Sequence, residues 1–385
     1  MRVSARLRPF GVTIFTETTA LAQDLGAINL GQGFPDWDGP DFIKQAAAES
    51  LAAGGADQYP AMAGIRELRQ AIAARYEPRL GHPIDPDTEV TVTSGCTEAL
   101  AACLLGLLDG GDEVVMISPF YDSYPVDVAL AGAVPRHVTL RPPDFRLDPD
   151  ELRAAFSDRT RAILVNTPHN PSGRMFDRDE LGMVADLCVR YDAVAISDEV
   201  YEEITFGPDH LRLATFPGME ERTVTLSSVG KTYSLTGWKV GWAIASAPLT
   251  GAVRAAHQYL TFTTPTPVQH GAVAALRAPP SYYEELRALY LSRRDLLAGG
   301  LAGIGFDVHL PEGTYFMLAG YGRFSAEDDR SFARRLIEEV GVAVIPPSVF
   351  YHDPADGHGL VRFAFCKRPE VLAAALDRLS GLASR

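Results

Sequence analysis

The sequence predicts an α/β protein: a large unit on a doubly wound, mostly parallel sheet, joined to a smaller α+β unit. Three observations carry the prediction. The chain has 385 residues, more than one hydrophobic core usually serves. Between about residues 89 and 245, short β-branched runs alternate with amphipathic stretches whose apolar residues recur at three and four. Past residue 280 the pattern changes to one long helical stretch followed by scattered strands and helices.

Taken in order, the first forty residues show no strong periodicity and carry the turn-rich NLGQGFPD. EVTVT (89–93), EVVMIS (113–118), RAILVN (161–166), AVAIS (193–197) and TVTLSS (223–228) read as strands. Between them TEALAACLLGLL, DPDELRAAF and RDELGMVADLCVRY read as helices, several opening on acidic or hydroxyl residues suited to a helix start. Strand–helix alternation predicts helices on both faces of the sheet, with ligand chemistry beyond the carboxyl ends of its strands. The last third begins with a long helix, SYYEELRALYLSRRDLLAGGL, and FDVHLPEGTYFMLAGYG then alternates as one strand. A helix around DDRSFARRLIEEV, strands VAVIP and LVRFAF, and a closing helix EVLAAALDRLSGL complete the smaller unit. No internal repeat or low-complexity linker separates the two units, so they are expected to pack closely.

Composition narrows the function. Thirty-five basic against forty-nine acidic side chains leave a net charge of −14, which repels phosphate backbones and anionic lipid and argues against nucleic-acid and membrane partners. No apolar run approaches the roughly 18 residues of a membrane span, and MRVSARLRPF lacks the apolar stretch of a signal peptide. Cys96, Cys103, Cys188 and Cys366 are scattered without metal-ligand spacing, so free thiols in a reducing cytoplasm are expected and no metal. Among the cations only four are lysine: Lys44, Lys231, Lys239 and Lys367.

Two apparent phosphate motifs fail their context. Gly31-Gln32-Gly33 starts like a dinucleotide fingerprint, but Asp36 stands where its last glycine belongs; Gly230-Lys231-Thr232 ends like a phosphate loop, but Thr225 stands at its first glycine. No H-E-x-x-H or G-x-S-x-G occurs. The segment SSVGKTYSLTGWKVGW (227–242) is more informative, because it holds two of the four lysines. Arginine keeps its proton, whereas a desolvated lysine loses it and forms a Schiff base. Ser228 precedes Lys231 by three residues, within reach of a phosphate beside such a bond. Upstream, Asp198 and Tyr201 in SDEVYEE follow the buried run AVAIS, NTPHNPSG (166–173) is a loop after a strand, and VTSGCTEAL (92–100) leads into a helix start. A helix start offers free N–H groups to an anion. Arg362, inside the strand LVRFAF, requires an anionic partner.

Each of these signals alone is ordinary, but their order is distinctive. N-P-S-G, then D-E-V-Y, then S-x-x-K with G-W-K-V-G-W, then R-F-A-F resembles the class I aminotransferases of pyridoxal-phosphate (PLP) fold type I, the aspartate aminotransferase-like fold. The resemblance runs from NLGQGFPD to FCKR. NLGQGFPD, PFYDSY, NTPHNPSG and TGWKVGW are most similar to the kynurenine aminotransferase/glutamine transaminase K branch, with the N-succinyldiaminopimelate aminotransferases close by. The resemblance implies a large cofactor domain over 40–280 and a small domain over 1–39 and 281–385.

It also implies a cofactor, pyridoxal 5′-phosphate, and a role for each matched residue. Lys231 matches the lysine that bonds the cofactor and then moves the substrate proton. Asp198 matches the carboxylate that keeps the pyridine nitrogen protonated, and that pyridinium should hold its pKa low. Tyr201 and Asn170 match the groups bonded to the phenolic oxygen. The backbone at Cys96 and Thr97, with Ser228 and Lys239, matches the phosphate cup. Tyr121 matches the stacking aromatic, with Val200 on the opposite face, and Tyr59 a tyrosine reaching the neighbouring subunit's phosphate across a homodimer. Arg362 matches the substrate-carboxylate clamp, completed by the backbone of Gly33 and by Asn170.

The implied activity is a ping-pong transfer of an amino group from a neutral hydrophobic, sulfur-containing, glutamine or kynurenine-type amino acid to a 2-oxo acid. Two alternatives share the scaffold: N-succinyldiaminopimelate aminotransferase, and a β-lyase acting on cysteine conjugates or cystathionine. The chain departs from the family pattern at two places. Where the kynurenine branch often has a tryptophan lining the side-chain pocket, LRPFGVTIF offers Phe10, Ile14 or Phe15. Cys96 replaces a small residue or glycine, with no expected loss because the backbone does the work.

Overall fold

A computed structural model describes residues 3–384 of the chain. Its strands are β1 (Ile28–Asn29), β2 (Val90–Thr93), β3 (Glu113–Ser118), β4 (Val134–Thr139), β5 (Thr160–Asn166), β6 (Val194–Asp198), β7 (Thr223–Ser228), β8 (Gly241–Ile244), β9 (Asp307–His309), β10 (Phe316–Gly320), β11 (Val342–Ala343) and β12 (Leu360–Ala364). The central sheet has the order β2-β8-β7-β6-β5-β3-β4. Its neighbours run parallel except β8, which is antiparallel to both β2 and β7.

Alternation along the strands explains the double winding, since successive side chains leave opposite faces of a sheet. Val115, Ile117, Ile163, Val165 and Ala195 pack on Leu181, Val184 and Cys188 of the helix Arg178–Tyr191. Their alternates Val114, Met116, Leu164, Ile196 and Leu226 pack on Ala99, Leu100 and Cys103 of the helix Gly95–Leu107. Both faces are therefore apolar and covered. The helix Arg178–Tyr191 starts at a capping box, with Asp177 accepting from the Glu180 N–H and the Glu180 side chain accepting from the Asp177 N–H.

The five strands expected between residues 89 and 228 appear within a residue or two of their expected bounds. Two more, β4 and β8, join the sheet. β8 slots between β2 and β7 at a point where only glycine fits: a Cβ on Gly241 would lie 2.6 Å from the Gly95 carbonyl carbon and 2.7 Å from the Cys96 nitrogen.

The chain ends pack together. β12, β10 and β9 form an antiparallel sheet, and its core includes Leu297 and Leu301 of the helix Pro280–Ile304 and Leu372 and Leu379 of the helix Pro369–Ser380. β1 pairs in parallel with β11, Ile28 opposite Val342 and Asn29 opposite Ala343. The aperiodic N-terminal stretch contains a helix, Ile14–Asp24, whose Ala22 packs on Ile337 and Ala343. FDVHLPEGTYFMLAGYG is two strands rather than the expected one, separated by a turn in which Thr314 takes φ 64°. The helix expected over DDRSFARRLIEEV is α-helical over Asp329–Arg335 and widens to a π turn over Leu336–Val340.

Candidate functional site

A cleft of about 290 Å³ opens where β5, β6 and β7 end. The strand termini deliver Asn166, Asp198 and Ser228 to it, and the helical turn Val229–Thr232 delivers Lys231. That turn starts where the Ser228 hydroxyl accepts the Gly230 N–H at 3.3 Å.

At one end of the cleft the helix Gly95–Leu107 begins, and Gly95, Cys96 and Thr97 line the wall. Lys239 adopts the left-handed φ of 53°, and its Nζ lies 3.5 Å from the Thr97 hydroxyl. Helix-start N–H groups, the hydroxyls of Ser228 and Thr97 and one ammonium thus converge, a donor set suited to a dianion. Gly241 makes this end possible by letting β8 lie against Gly95 and Cys96.

In the floor, the Asp198 carboxylate is held at both oxygens. Tyr124 donates its hydroxyl to Oδ2 at 2.8 Å, while the Val200 N–H at 3.3 Å and the Cys96 thiol at 3.6 Å donate to Oδ1. Burial raises the pKa of Asp198, opposed by Tyr124, Val200, Cys96 and Lys231. The low value expected for Asp198 depends on a pyridinium opposite it; within the protein alone, burial outweighs the donors. Lys231 keeps partial exposure through the cleft, yet burial of its amine lowers its pKa, the direction a nucleophilic amine requires. Its Nζ lies 5.7 Å from the Tyr201 ring centre and 5.9 Å from that of Tyr315. Burial raises the Tyr201 phenol well above its ordinary range and pushes that of Tyr121 up to about 12.

At the other end Arg362 is 1% exposed. It donates from Nη1 to Asn170 Oδ1 at 3.1 Å and from Nη2 to the Gly31 carbonyl at 2.9 Å. Its guanidinium carbon stands 4.0 Å from the centre of the Phe316 ring. Burial lowers its pKa to about 10, so the cation persists at neutral pH.

Lys231, Asp198, Tyr201, Asn170, Cys96, Thr97, Tyr121, Ser228, Lys239, Val200, Gly33 and Arg362 all line this one cleft. Gly33 contributes wall without touching the guanidinium: its carbonyl accepts the Tyr315 hydroxyl at 2.6 Å, and it is Gly31 that holds Arg362. Of the three candidates Phe10, Ile14 and Phe15, the lining residue is Phe15. Tyr59 stands apart, 83% exposed, its ring edge-on to Phe262 at 5.4 Å. The remaining lysines are engaged elsewhere, Lys44 with Asp41 at 2.8 Å and Lys367 with the Phe34 carbonyl at 2.8 Å. Sequence reasoning missed Tyr124, Gly31 and Phe316. Only Tyr124 left a trace, as the second tyrosine of PFYDSY beside Tyr121. Among the described residues no cluster of side chains is arranged to hold a metal ion, and no helix is long and apolar enough to cross a membrane.

A buried amine, an enclosed carboxylate and a buried guanidinium converging at the strand ends of such a sheet suit the chemistry of a transferase for α-amino acids. The family model for aminotransferase class I and II matches residues 26–379, and the chain belongs to that family, with its type I fold. A probable N-succinyldiaminopimelate aminotransferase of Mycobacterium tuberculosis is 48% identical over 99% of this chain and 98% of its own. A kynurenine–oxoglutarate transaminase of Dictyostelium discoideum is 37% identical over 98% of this chain and 95% of its own. A solved Escherichia coli structure, reported to identify a methionine aminotransferase function, superposes with a TM-score of 0.94. It is 43% identical and covers 99% of this chain and 100% of its own. The protein is an aminotransferase.

Proposed function

We propose that the cleft binds pyridoxal 5′-phosphate and transfers the amino group of a neutral, hydrophobic or sulfur-containing L-amino acid to a 2-oxo acid. The observation that carries the reading is the convergence of Lys231, Asp198 and Arg362 on one cleft. The residues fit the cofactor on their own chemistry. The cradle that Gly241 leaves against Gly95 and Cys96 is too close for any Cβ, and it presents backbone donors beside Ser228 and Lys239. These groups would hold the phosphate, Asp198 the ring nitrogen, and Tyr121 and Val200 the ring faces. Tyr201 and Asn170 would bond its phenolic oxygen.

Bound there, the cofactor supplies an aldehyde to take up amines and a protonated ring to withdraw electrons from the substrate Cα. Lys231, whose pKa burial lowers, serves as the group that accepts and returns the proton at Cα. Arg362, with two of its five N–H groups committed to Asn170 and Gly31, retains three for the substrate carboxylate. Phe15, Phe34 and Phe316 give the cleft apolar walls on the Arg362 side.

Those walls also support the substrate class. Beyond Lys231, Lys239 and Arg362 no cation lines the cleft among the described residues, so a substrate bearing extra carboxylates finds no second partner from this chain. N-succinyldiaminopimelate remains the competing donor on the strength of the 48% identical relative. Tyr59, exposed beside the exposed Phe262 and in line with Tyr259 and Leu260 on the surface, supports a homodimer that shares active sites. Four free cysteines support a cytoplasmic location. The pairing of β1 with β11 supports a small domain over 1–39 and 281–385 beside a large one over 40–280.

Borohydride reduction of the yellow protein followed by peptide mapping tests the cofactor reading. A pyridoxyl group is expected on Lys231, and its attachment to any other lysine rejects the assignment. A coupled assay with methionine, glutamine, kynurenine and succinyldiaminopimelate tests the substrate, and a clear preference for the last overturns the neutral-donor reading.

A further inference from the structure

Asp198 is held more fully than the family resemblance implies. Tyr124, 3% exposed, approaches Oδ2 at 2.8 Å from the helix Ser123–Ala131, while the Cys96 thiol approaches Oδ1 at 3.6 Å from the start of the helix Gly95–Leu107. Two helices on the same face of the sheet therefore grip the two oxygens of one carboxylate that the strand β6 carries. Tyr124 also presents its ring edge-on to Tyr121, with centres 5.8 Å apart and planes at 83°.

We propose that Tyr124, seconded by the Cys96 thiol, is a positioning residue that aims Asp198 at the ring nitrogen of the bound cofactor and keeps it ionised. The inference rests on the reading of the cleft as a pyridoxal phosphate site. A phenol beside a carboxylate donates, and a donor to the ionised form favours that form against the burial that opposes it. The same burial, with Asp198 next to it, raises the Tyr124 hydroxyl well above its ordinary range, so it keeps the proton it must donate. Geometry adds to charge: with Oδ2 fixed by Tyr124 and Oδ1 by Val200 and Cys96, the carboxylate has no freedom to turn away. Cys96 then contributes more than its backbone, contrary to the expectation that its side chain is idle.

The test separates this role from simple packing. Holoprotein of wild type, Tyr124→Phe and Cys96→Ala is depleted of cofactor and reloaded, and retention is measured by equilibrium dialysis. Two probes are used: pyridoxal 5′-phosphate, and its 1-deaza analogue with carbon in place of the ring nitrogen. Phenylalanine keeps the ring that supports Tyr121 and removes only the donor. Tyr124→Phe is expected to retain pyridoxal phosphate about tenfold more weakly, the loss of one charge-assisted hydrogen bond, while its grip on the deaza analogue stays within twofold of wild type. Cys96→Ala is expected to show the same selectivity with a smaller loss, and it decides the matter if Tyr124→Phe does not fold. An equal loss for both probes, or no loss for either, overturns the proposal. A wild type that retains neither probe rejects the cofactor reading itself, a distinct outcome.

Discussion

Replacing Arg362 with lysine keeps the positive charge and removes the fork. In the native site the guanidinium spends two N–H groups on Asn170 and Gly31, and on the proposed reading the remaining three would serve a substrate carboxylate. A lysine making the same two bonds has one left, so the substrate loses one arm of a bidentate grip. A hydrogen bond to a charged group contributes about 1.5–3 kcal/mol, and each 1.36 kcal/mol is a factor of ten. The expected fall in kcat/KM for methionine is therefore roughly 10- to 150-fold. Because the grip also orients the Cα–H bond, kcat falls along with a rise in KM. A coupled spectrophotometric assay against methioninamide, which lacks the carboxylate, supplies the control: wild type and Arg362→Lys should turn it over equally slowly. A variant within threefold of wild type on methionine, or one that loses as much on the amide, refutes the assignment of the clamp. With a pKa near 10, wild-type Arg362 stays charged at neutral pH, so its grip should weaken only as pH nears that value.

Three further outcomes are expected. Glu113 accepts from Arg136 at 2.5 Å, from Ser157 at 2.6 Å and from Arg159, and these donors, Arg136 foremost, hold it at about 2, below its ordinary 4.5. A lowered carboxylate pKa stabilises the fold above the unfolded value and loses that contribution as pH falls through the folded one. Glu113→Gln should accordingly cost about 1–2 kcal/mol at pH 7, modest because both arginines are solvent-exposed. That gap, followed by urea unfolding, should close towards pH 2; a constant gap contradicts it. Gly241→Ala forces a methyl group to within 2.6 Å of the Gly95 carbonyl carbon and should lower stability by about 1–3 kcal/mol. The same variant should also weaken pyridoxal phosphate retention in dialysis, and unchanged retention would separate the cradle from the cofactor. Phe15→Ala opens the apolar wall beside Arg362, 5.2 Å from its guanidinium carbon. It should raise KM for methionine about tenfold, for roughly 1.5 kcal/mol of lost apolar contact, while leaving alanine little affected; equal effects on both donors count against a side-chain contact.

What could be read from the chain follows the range of the forces involved. β3, β5, β6 and β7 were legible because burial on both faces fills them with β-branched and apolar residues. β4 was not: it is the edge strand, its VPRHVT half-exposed and broken by proline, so no apolar run marks it. β8 starts on the last two residues of the GWKVGW motif and went unseen because its four residues are too short to show a period. The helix Ile14–Asp24 has little buried surface of its own and takes its place from β11 and Ile337, which local pattern does not reveal. In the cleft, residues grouped in motifs were found together. Gly31 and Phe316 were not, since their part in holding Arg362 exists only after distant segments close. The scarcity of lysine proved a useful guide, leading to the pair beside the cleft while Lys44 and Lys367 make contacts of a structural kind.

The antiparallel insertion of β8 beside β7 sets the two ends of the cleft on different footings. Lys231 and Lys239 lie in one short connection between adjacent strands, so the two cations of the proposed cofactor site come from a single stretch of backbone that closes on the helix start at Gly95. The carboxylate grip is the opposite case: Arg362 reaches Asn170 across 192 positions and Gly31 across 331. The phosphate end therefore depends on segments within the middle of the chain, Lys239 meeting Thr97 across 142 positions, whereas the Arg362 contacts record whether the first and last parts of the polypeptide are seated against that middle. On the proposed reading, cofactor binding would report the folding of the middle of the chain, and substrate binding would report in addition the docking of its two ends.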